Sequence, residues 1–298
     1  MNLQHHLRAS LVYVLIIVHT LVLIIPLIAV TVLKLLLPLR PAQVACARIL
    51  AWIAELWCAI NDVIIRLISR PRLHRDIRAE LHNDRWYLIT ANHQSWADIL
   101  VLQSLFNRRI PFQKFFLKKE LIWVPFLGLA WWALDFPFMK RHSKEELERR
   151  PELRGTDLET TRRACEKFQD FPTSVMNFFE GTRFTREKHQ AQQSPYAHLL
   201  RPRAGGTAFA LNAMGGTLRT LLDVTIIYPT QAPLSLTAFL GGAIRDVHVV
   251  VREREIPDWV AQGDYESDPE FRARFQDWIN GLWEEKDRLI ADYRRKGV

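Results

Sequence analysis

The stretch TANHQSWADIL, residues 90–100, decides how the chain is read. It grows out of WYLIT at 86–90, an apolar and aromatic run with the composition of a buried strand. The change of character across Ala91–Asp98 predicts a strand giving way to a helix. His93 then stands at the carboxyl end of a strand, the edge where open α/β sheets place their sites. Asp98, five positions on, falls in the first helical turn, within reach of one imidazole nitrogen. Such a carboxylate fixes the tautomer and stabilises an imidazolium, leaving the other nitrogen to take a proton from a hydroxyl. Spacing alone equally suits a structural histidine beside an ordinary helix-start carboxylate, and both readings stay open at this point. Ser95 lies between the two but outside any GxSxG elbow, so a serine acyl-enzyme is not expected.

Outward from this stretch, strand-like runs recur at 174–179, 222–228 and 247–252, the last with Val247, Val249 and Val251 on one face. Helical stretches lie between them. Thr156 or Asp157 is placed to cap ETTRRACEKF, and Ser267 or Asp268 before Pro269 starts a final helix. In that helix Phe271, Phe275, Trp278, Leu282, Leu289 and Tyr293 make one apolar stripe, read as core packing. Strands alternating with helices predict an α/β fold, a mixed sheet flanked by helices, over residues 70–298. SRPRLHRDIR at 69–78 reads as a basic linker, and RHSKEELERRPELRGTD at 141–157 as a charged, exposed excursion.

The second chemical cluster is NFFEGTRFT at 177–185. A strand ends at Phe179, Gly181 permits a close backbone approach, and Arg183 offers a bidentate fork to a phosphate. Glu180 is expected to hold that arginine or a backbone amide; an isolated EGTR also suits a surface turn with a weak ion pair.

Upstream, Leu11–Leu33 carries no Asp, Glu, Lys or Arg and exceeds the ~20 residues a membrane helix needs. It is too long for the core of a cleaved signal peptide, and Pro26 predicts a kink within it. The next apolar stretch, Ile49–Ile68, is interrupted by Glu55, Asn61 and Asp62 and is expected to pack on the first or lie at the interface. Residues 1–69 are therefore read as a membrane-embedded helical hairpin, the basic flanks favouring a re-entrant pair over two full spans. The formal charge of +8 and pI near 9.6 suit an anionic partner. With basic residues beside membrane segments and no nucleic-acid motif, a lipid is expected and nucleic acid is not. Cys46, Cys58 and Cys165 form no CxxC pair, so neither a disulfide framework nor a metal site is expected.

Taken together, NHQSWAD, FLKKELIWVPFLGLAWWALDFPFMKR, FFEGTR and VTIIYP resemble, in order, the four sequence blocks of the glycerolipid acyltransferases. The resemblance runs over about residues 86–230 and is nearest to the 1-acylglycerol-3-phosphate acyltransferases. It implies that His93 is a general base with Asp98 as its orienting partner. It also implies that Glu180, Gly181, Thr182 and Arg183 bind a glycerol phosphate. Lys118, Lys119, Trp123, Pro125, Phe126 and Gly128 match the second block, which ends on basic substrate ligands, here Lys140 or Arg141. Arg203, in LLRPRAGG, takes a supporting phosphate role, and Pro229 matches the proline of the fourth block. The expected reaction moves a fatty acyl chain from an acyl-CoA or acyl carrier protein thioester to the sn-2 hydroxyl of lysophosphatidate, giving phosphatidic acid. No metal or prosthetic cofactor takes part in it. Alternative acceptors are glycerol 3-phosphate or another lysophospholipid, and the alternative of another class is a non-catalytic lipid-binding scaffold. Few cysteines and basic flanks suit the cytoplasmic face of a bacterial inner membrane, with an organelle membrane second.

Overall fold

The two apolar stretches form the two longest helices among the described residues. A computed structural model describes residues 2–139, 149, 168, 171–214, 216–230, 234–263, 265 and 267–297. In it α1 runs Leu3–Leu36, unbroken through Pro26, and α2 runs Arg40–Ile68. Both are long and apolar enough to cross a membrane, and little of either apolar window is covered by the rest of the chain. Leu11, Val14, Val18, Leu21, Val22 and Ile25 stay exposed along α1. The base of the pair is drawn into the domain that follows: Ala9, Val12 and Ile65 join the core of the sheet. There the carbonyl of His5 approaches Gly241 so closely that a Cβ would sit 2.4 Å from it, which only glycine tolerates.

The sheet has six strands in the order β1(Arg72–Arg78), β8(Asp246–Glu255), β7(Thr220–Ile227), β2(Tyr87–Ala91), β6(Ser174–Met176), β3(Gln113–Phe115). Neighbours are parallel except β7 and β8, so the mixed sheet expected from the sequence is found. A second, two-stranded sheet pairs β4(Leu117–Lys118) with β5(Phe138–Met139). Central strands buried on both faces read as continuous apolar runs: every residue of β2 is buried, as is all of β7 after Thr220.

Alternation along the strands sends side chains to two cores. Ile89, Leu222, Val224 and Ile226 face α1, α2, α3(Ala97–Phe106) and the short α7(Leu236–Leu240). Leu88, Leu221 and Ile227 face α6(Ala204–Ala213), α8(Asp258–Gln262) and α9(Pro269–Arg295). The remaining helices are α4(Leu127–Ala133), after a 3-10 turn at Lys119–Trp123, and α5(Arg186–Ala191).

Two expectations change. The basic linker is an edge strand: Arg72–Arg78 pairs in parallel with Asp246–Arg252. The buried face of α9 is Phe275, Ile279, Leu282, Trp283, Lys286 and Ile290, so the stripe sits slightly round from the predicted one and has a lysine within it. Trp123, Phe126 and Trp132 of the second block lie at the surface, Trp123 being 86% exposed. With Leu127 and Leu129 they extend the apolar exterior beyond the helical hairpin. Apart from Arg149 and Phe168, the excursion at 141–157 and the helix expected at ETTRRACEKF lie outside the described residues.

Candidate active site

Three adjacent parallel strands, β7, β2 and β6, end at one edge and deliver the motif residues side by side. Tyr228 follows β7, Asn92 and His93 follow β2, and Phe178 to Arg183 follow β6. Asn92 ties two of these ends together: its side-chain amide donates to the carbonyl of Ile226 (2.8 Å) and its oxygen accepts the Ile226 N–H (2.8 Å). Gln94 adds a bond to the same carbonyl.

Asp98 is fully buried in the first turn of α3 and is surrounded by donors. Its Oδ2 lies 2.9 Å from His93 Nδ1 and accepts the N–H groups of Gln94 (2.6 Å) and Ser95 (2.8 Å). Its Oδ1 accepts the Tyr228 hydroxyl at 2.6 Å. Because a carboxylate only accepts, this arrangement puts the proton on His93 Nδ1 and leaves Nε2 as the acceptor. Among the described residues Nε2 has no hydrogen-bond partner. The ring is held from one side by Phe178, stacked at 3.9 Å. Burial, with Asp98 beside it, pushes the Tyr228 hydroxyl well above its ordinary value and keeps it a donor. Ser95 is buried and its hydroxyl accepts the N–H of Ala97, a local turn contact and not a nucleophile's bond to a base.

The turn after β6 is fastened to the same histidine: the N–H of Phe184 donates to the His93 carbonyl at 2.7 Å. Gly181 has φ +67°, and Arg203, whose N–H bonds the carbonyl of Phe179, packs its Cδ 3.3 Å from the position of a Gly181 Cβ. Lys188 closes the turn by donating to the Thr182 hydroxyl (2.7 Å) and the Arg183 carbonyl (3.1 Å). Arg183 stands open at the surface with no carboxylate partner among the described residues; its guanidinium lies over the ring of Trp96.

Glu180 makes no ion pair with Arg183. It is fully buried beneath the turn, and neither oxygen has a well-formed hydrogen bond among the described residues. Burial pushes its carboxyl up to about 8, restrained by the N–H groups of His93 and Leu200 and the Lys286 ammonium, and reinforced by the charge of Asp98. Lys286, on α9, is itself buried and already engaged, by Asp223 Oδ1 (2.5 Å) and the Val224 carbonyl (2.5 Å). Arg254 bridges Asp223 to Glu285. Glu180 thus lies over an ionic network whose nearest cation is committed elsewhere.

The structure therefore brings together His93, Asp98, Gly181, Thr182, Arg183 and Arg203 around one strand edge, with Glu180 underneath. Lys140 and Arg141 lie outside the described residues. Tyr228, Asn92, Trp96 and Lys188 were not singled out in the sequence. The first three sit inside the motif blocks themselves, and Tyr228 was readable as the polar residue closing VTIIYP. Among the described residues no cluster of three metal-ligating side chains occurs.

Comparison with known proteins bears on the family and the fold. A structure of similar fold is the crystal structure of the 1-acyl-sn-glycerophosphate (LPA) acyltransferase PlsC from Thermotoga maritima. The alignment covers 96% of each chain with a TM-score of 0.50 and 17% sequence identity. Mouse 1-acyl-sn-glycerol-3-phosphate acyltransferase gamma is 28% identical over 223 residues, covering 71% of this chain and 54% of its own. The human gamma enzyme is 29% identical over 224 residues, with the same two coverages. The chain thus spans about half the length of the curated relatives it matches. The sequence model of the family described as Acyltransferase matches residues 74–229, which take in His93, Asp98 and the whole EGTR turn, and by that match over more than half its length the chain belongs to the acyltransferase family.

Proposed function

We propose that the protein is a membrane-bound acyltransferase. It moves a fatty acyl chain from a thioester of coenzyme A or acyl carrier protein to the sn-2 hydroxyl of 1-acylglycerol 3-phosphate. The observation that carries this reading is the His93–Asp98 pair at 2.9 Å, with Nε2 left without a partner among the described residues at a strand edge beside Arg183. In the reaction Nε2 removes the hydroxyl proton as the oxygen attacks the thioester carbonyl, and Asp98 stabilises the imidazolium. Collapse of the tetrahedral intermediate breaks the carbon–sulfur bond, and the imidazolium proton goes to the departing thiolate. The thioester is already activated, so no acyl-enzyme is needed. Arg183, seconded by Arg203, holds the acceptor's phosphate, while Gly181 and Thr182 shape the turn under it. The apolar lengths of α1 and α2 and the exposed Trp123, Phe126 and Trp132 support a site working at the bilayer that supplies the acceptor. The cytoplasmic face of a bacterial inner membrane is the location this reading favours.

The test is transfer of a labelled acyl group to lysophosphatidate in detergent. His93→Ala is expected to lower turnover by about 10²–10⁴-fold with the fold intact. Arg183→Ala is expected to raise KM for phosphate-bearing acceptors. Equal, background-level transfer by wild type and His93→Ala over a panel including glycerol 3-phosphate and other lysophospholipids would instead favour a lipid-binding scaffold.

A further inference from the structure

Trp96 occupies a position that packing does not explain. It lies within the HxxxxD spacing, between the buried Ser95 and Ala97, yet it is 52% exposed and belongs to none of the hydrophobic cores. It is the residue before α3, and its side chain makes no capping hydrogen bond. The backbone around it is set by Asp98, which gathers the N–H groups of Gln94 and Ser95. The one ring contact the indole makes among the described residues is with the Arg183 guanidinium, 5.0 Å from the ring centroid.

That contact bridges the two motifs. Trp96 comes from the corner after β2 and Arg183 from the turn after β6, and the bond from Phe184 N–H to the His93 carbonyl keeps the two corners in register. No carboxylate competes for Arg183 among the described residues. A ring face attracts a guanidinium without a hydrogen-bond acceptor of its own, so a cation held there keeps N–H groups available to an anion. A carboxylate in the place of Trp96 would occupy those same N–H groups. The indole therefore orients the cation without consuming it.

We propose that Trp96 is a positioning residue for the acceptor's phosphate: its indole holds Arg183 open-edged beside His93, so the headgroup is seized in register with the base. This rests on the reading of Arg183 as the phosphate ligand and assigns to the third residue of the HxxxxD interval a role in recognition. Its exposure means that it is replaceable without opening the core.

A double-mutant cycle on binding tests it. Calorimetry of lysophosphatidate with the full chain in detergent would compare wild type, Trp96→Leu, Arg183→Ala and the double variant, with acyl transfer assayed in parallel. Trp96→Leu is expected to weaken binding about three- to tenfold, through KM far more than kcat. Trp96→Phe should recover most of that loss, and Trp96→Leu should have no further effect in the Arg183→Ala background. Equal losses in both backgrounds, as a lipid-facing aromatic would give, overturn the proposal. So does an unchanged affinity in Trp96→Leu. Coupled losses in binding without any acyl transfer leave the positioning role standing and remove the catalytic reading. Transfer with uncoupled losses does the reverse.

Discussion

Two pairs of titratable side chains are buried near the same strand edge, and they differ in how the chain assembles them and in what they leave open. His93 and Asp98 are five residues apart, joined by one strand-to-helix corner. Asp223 and Lys286 come from β7 and α9 and meet only when the last helix docks on the sheet. The first pair ends in an imidazole nitrogen without a hydrogen-bond partner among the described residues. The second is sealed, with side-chain exposures of 4% and 0%. A pair made locally can afford an open end because the backbone already fixes it. A pair made over a long range has to be closed, since its partners hold each other in place.

The largest expected effect breaks the sealed pair. Lys286→Met leaves Asp223 buried with Arg254 alone, and loss of one partner of a buried pair costs about 3–5 kcal/mol. Lys286→Met with Asp223→Asn should recover much of that, because no charge is then stranded. His93→Ala, by contrast, should cost about 1–3 kcal/mol, because Asp98 keeps the donors of Gln94, Ser95 and Tyr228, while turnover collapses. Denaturant unfolding followed by circular dichroism in detergent, beside the transfer assay, separates the two behaviours. If Lys286→Met is as stable as wild type, burial is not what distinguishes the pairs.

Glu180 lies between the two pairs and offers the next effect, through pH. Its carboxyl titrates near 8 in the folded chain because burial disfavours the anion, against an ordinary value of 4.5 in the unfolded one. The folded state therefore binds more protons between these values, so stability is fully present below pH 4.5 and is lost as pH rises toward 8. The slope from this one group is at most about 1.4 kcal/mol per pH unit. Glu180→Gln should remove it, so that the variant gains on wild type in a thermal unfolding series as pH is raised. A constant difference between the two across the series would mean that Glu180 keeps its charge.

A smaller effect sharpens the local pair. Tyr228→Phe removes the donor on Asp98 Oδ1 and keeps the ring. A hydrogen bond to a charged group contributes about 1.5–3 kcal/mol, and part of this is already present in the ground state. A fall in kcat of about tenfold, with little change in KM, is expected from steady-state kinetics. A purely structural tyrosine would lower melting temperature and leave kcat per folded molecule unchanged.

The same contrast explains what was legible in the sequence. The His93–Asp98 corner, the Gly181–Arg183 turn and the two apolar helices are carried by residues close together in the chain, and their order and spacing could be read directly. The strand at Arg72–Arg78 was missed because only Leu73 and Ile77 mark it. It sits at an edge, and what makes it a strand is the register with Asp246–Arg252, which lies far along the chain. The three-residue strand at Gln113–Phe115 is too short for any periodicity to show. Lys286 interrupts the apolar face of α9, and only Asp223 on a distant strand makes sense of it. For Glu180 the sequence leaves Arg183 or a backbone amide as the partner, and only the strand end, which turns Glu180 inward and Arg183 out, removes the first.

A third ionic cluster, on the surface, tests whether distance along the chain or burial sets the energy. Asp246 on β8 receives Arg72 at 2.5 Å and His74 Nε2 at 2.9 Å, both from the distant β1, so it is as non-local as the Asp223–Lys286 pair. It is, however, open to water, as are both of its partners. The Arg72 hydrogen bond, then that of His74, holds its carboxyl below the ordinary value. The stability it adds is thus present above the unfolded pKa of 3.8 and lost as pH falls through the lower folded value. Solvent screening limits such exposed pairs to about 0–1 kcal/mol. Asp246→Asn should therefore shift the unfolding midpoint only slightly at neutral pH, and less still in high salt. A loss approaching that of Lys286→Met would show that long-range pairing itself, and not its removal from water, carries the energy.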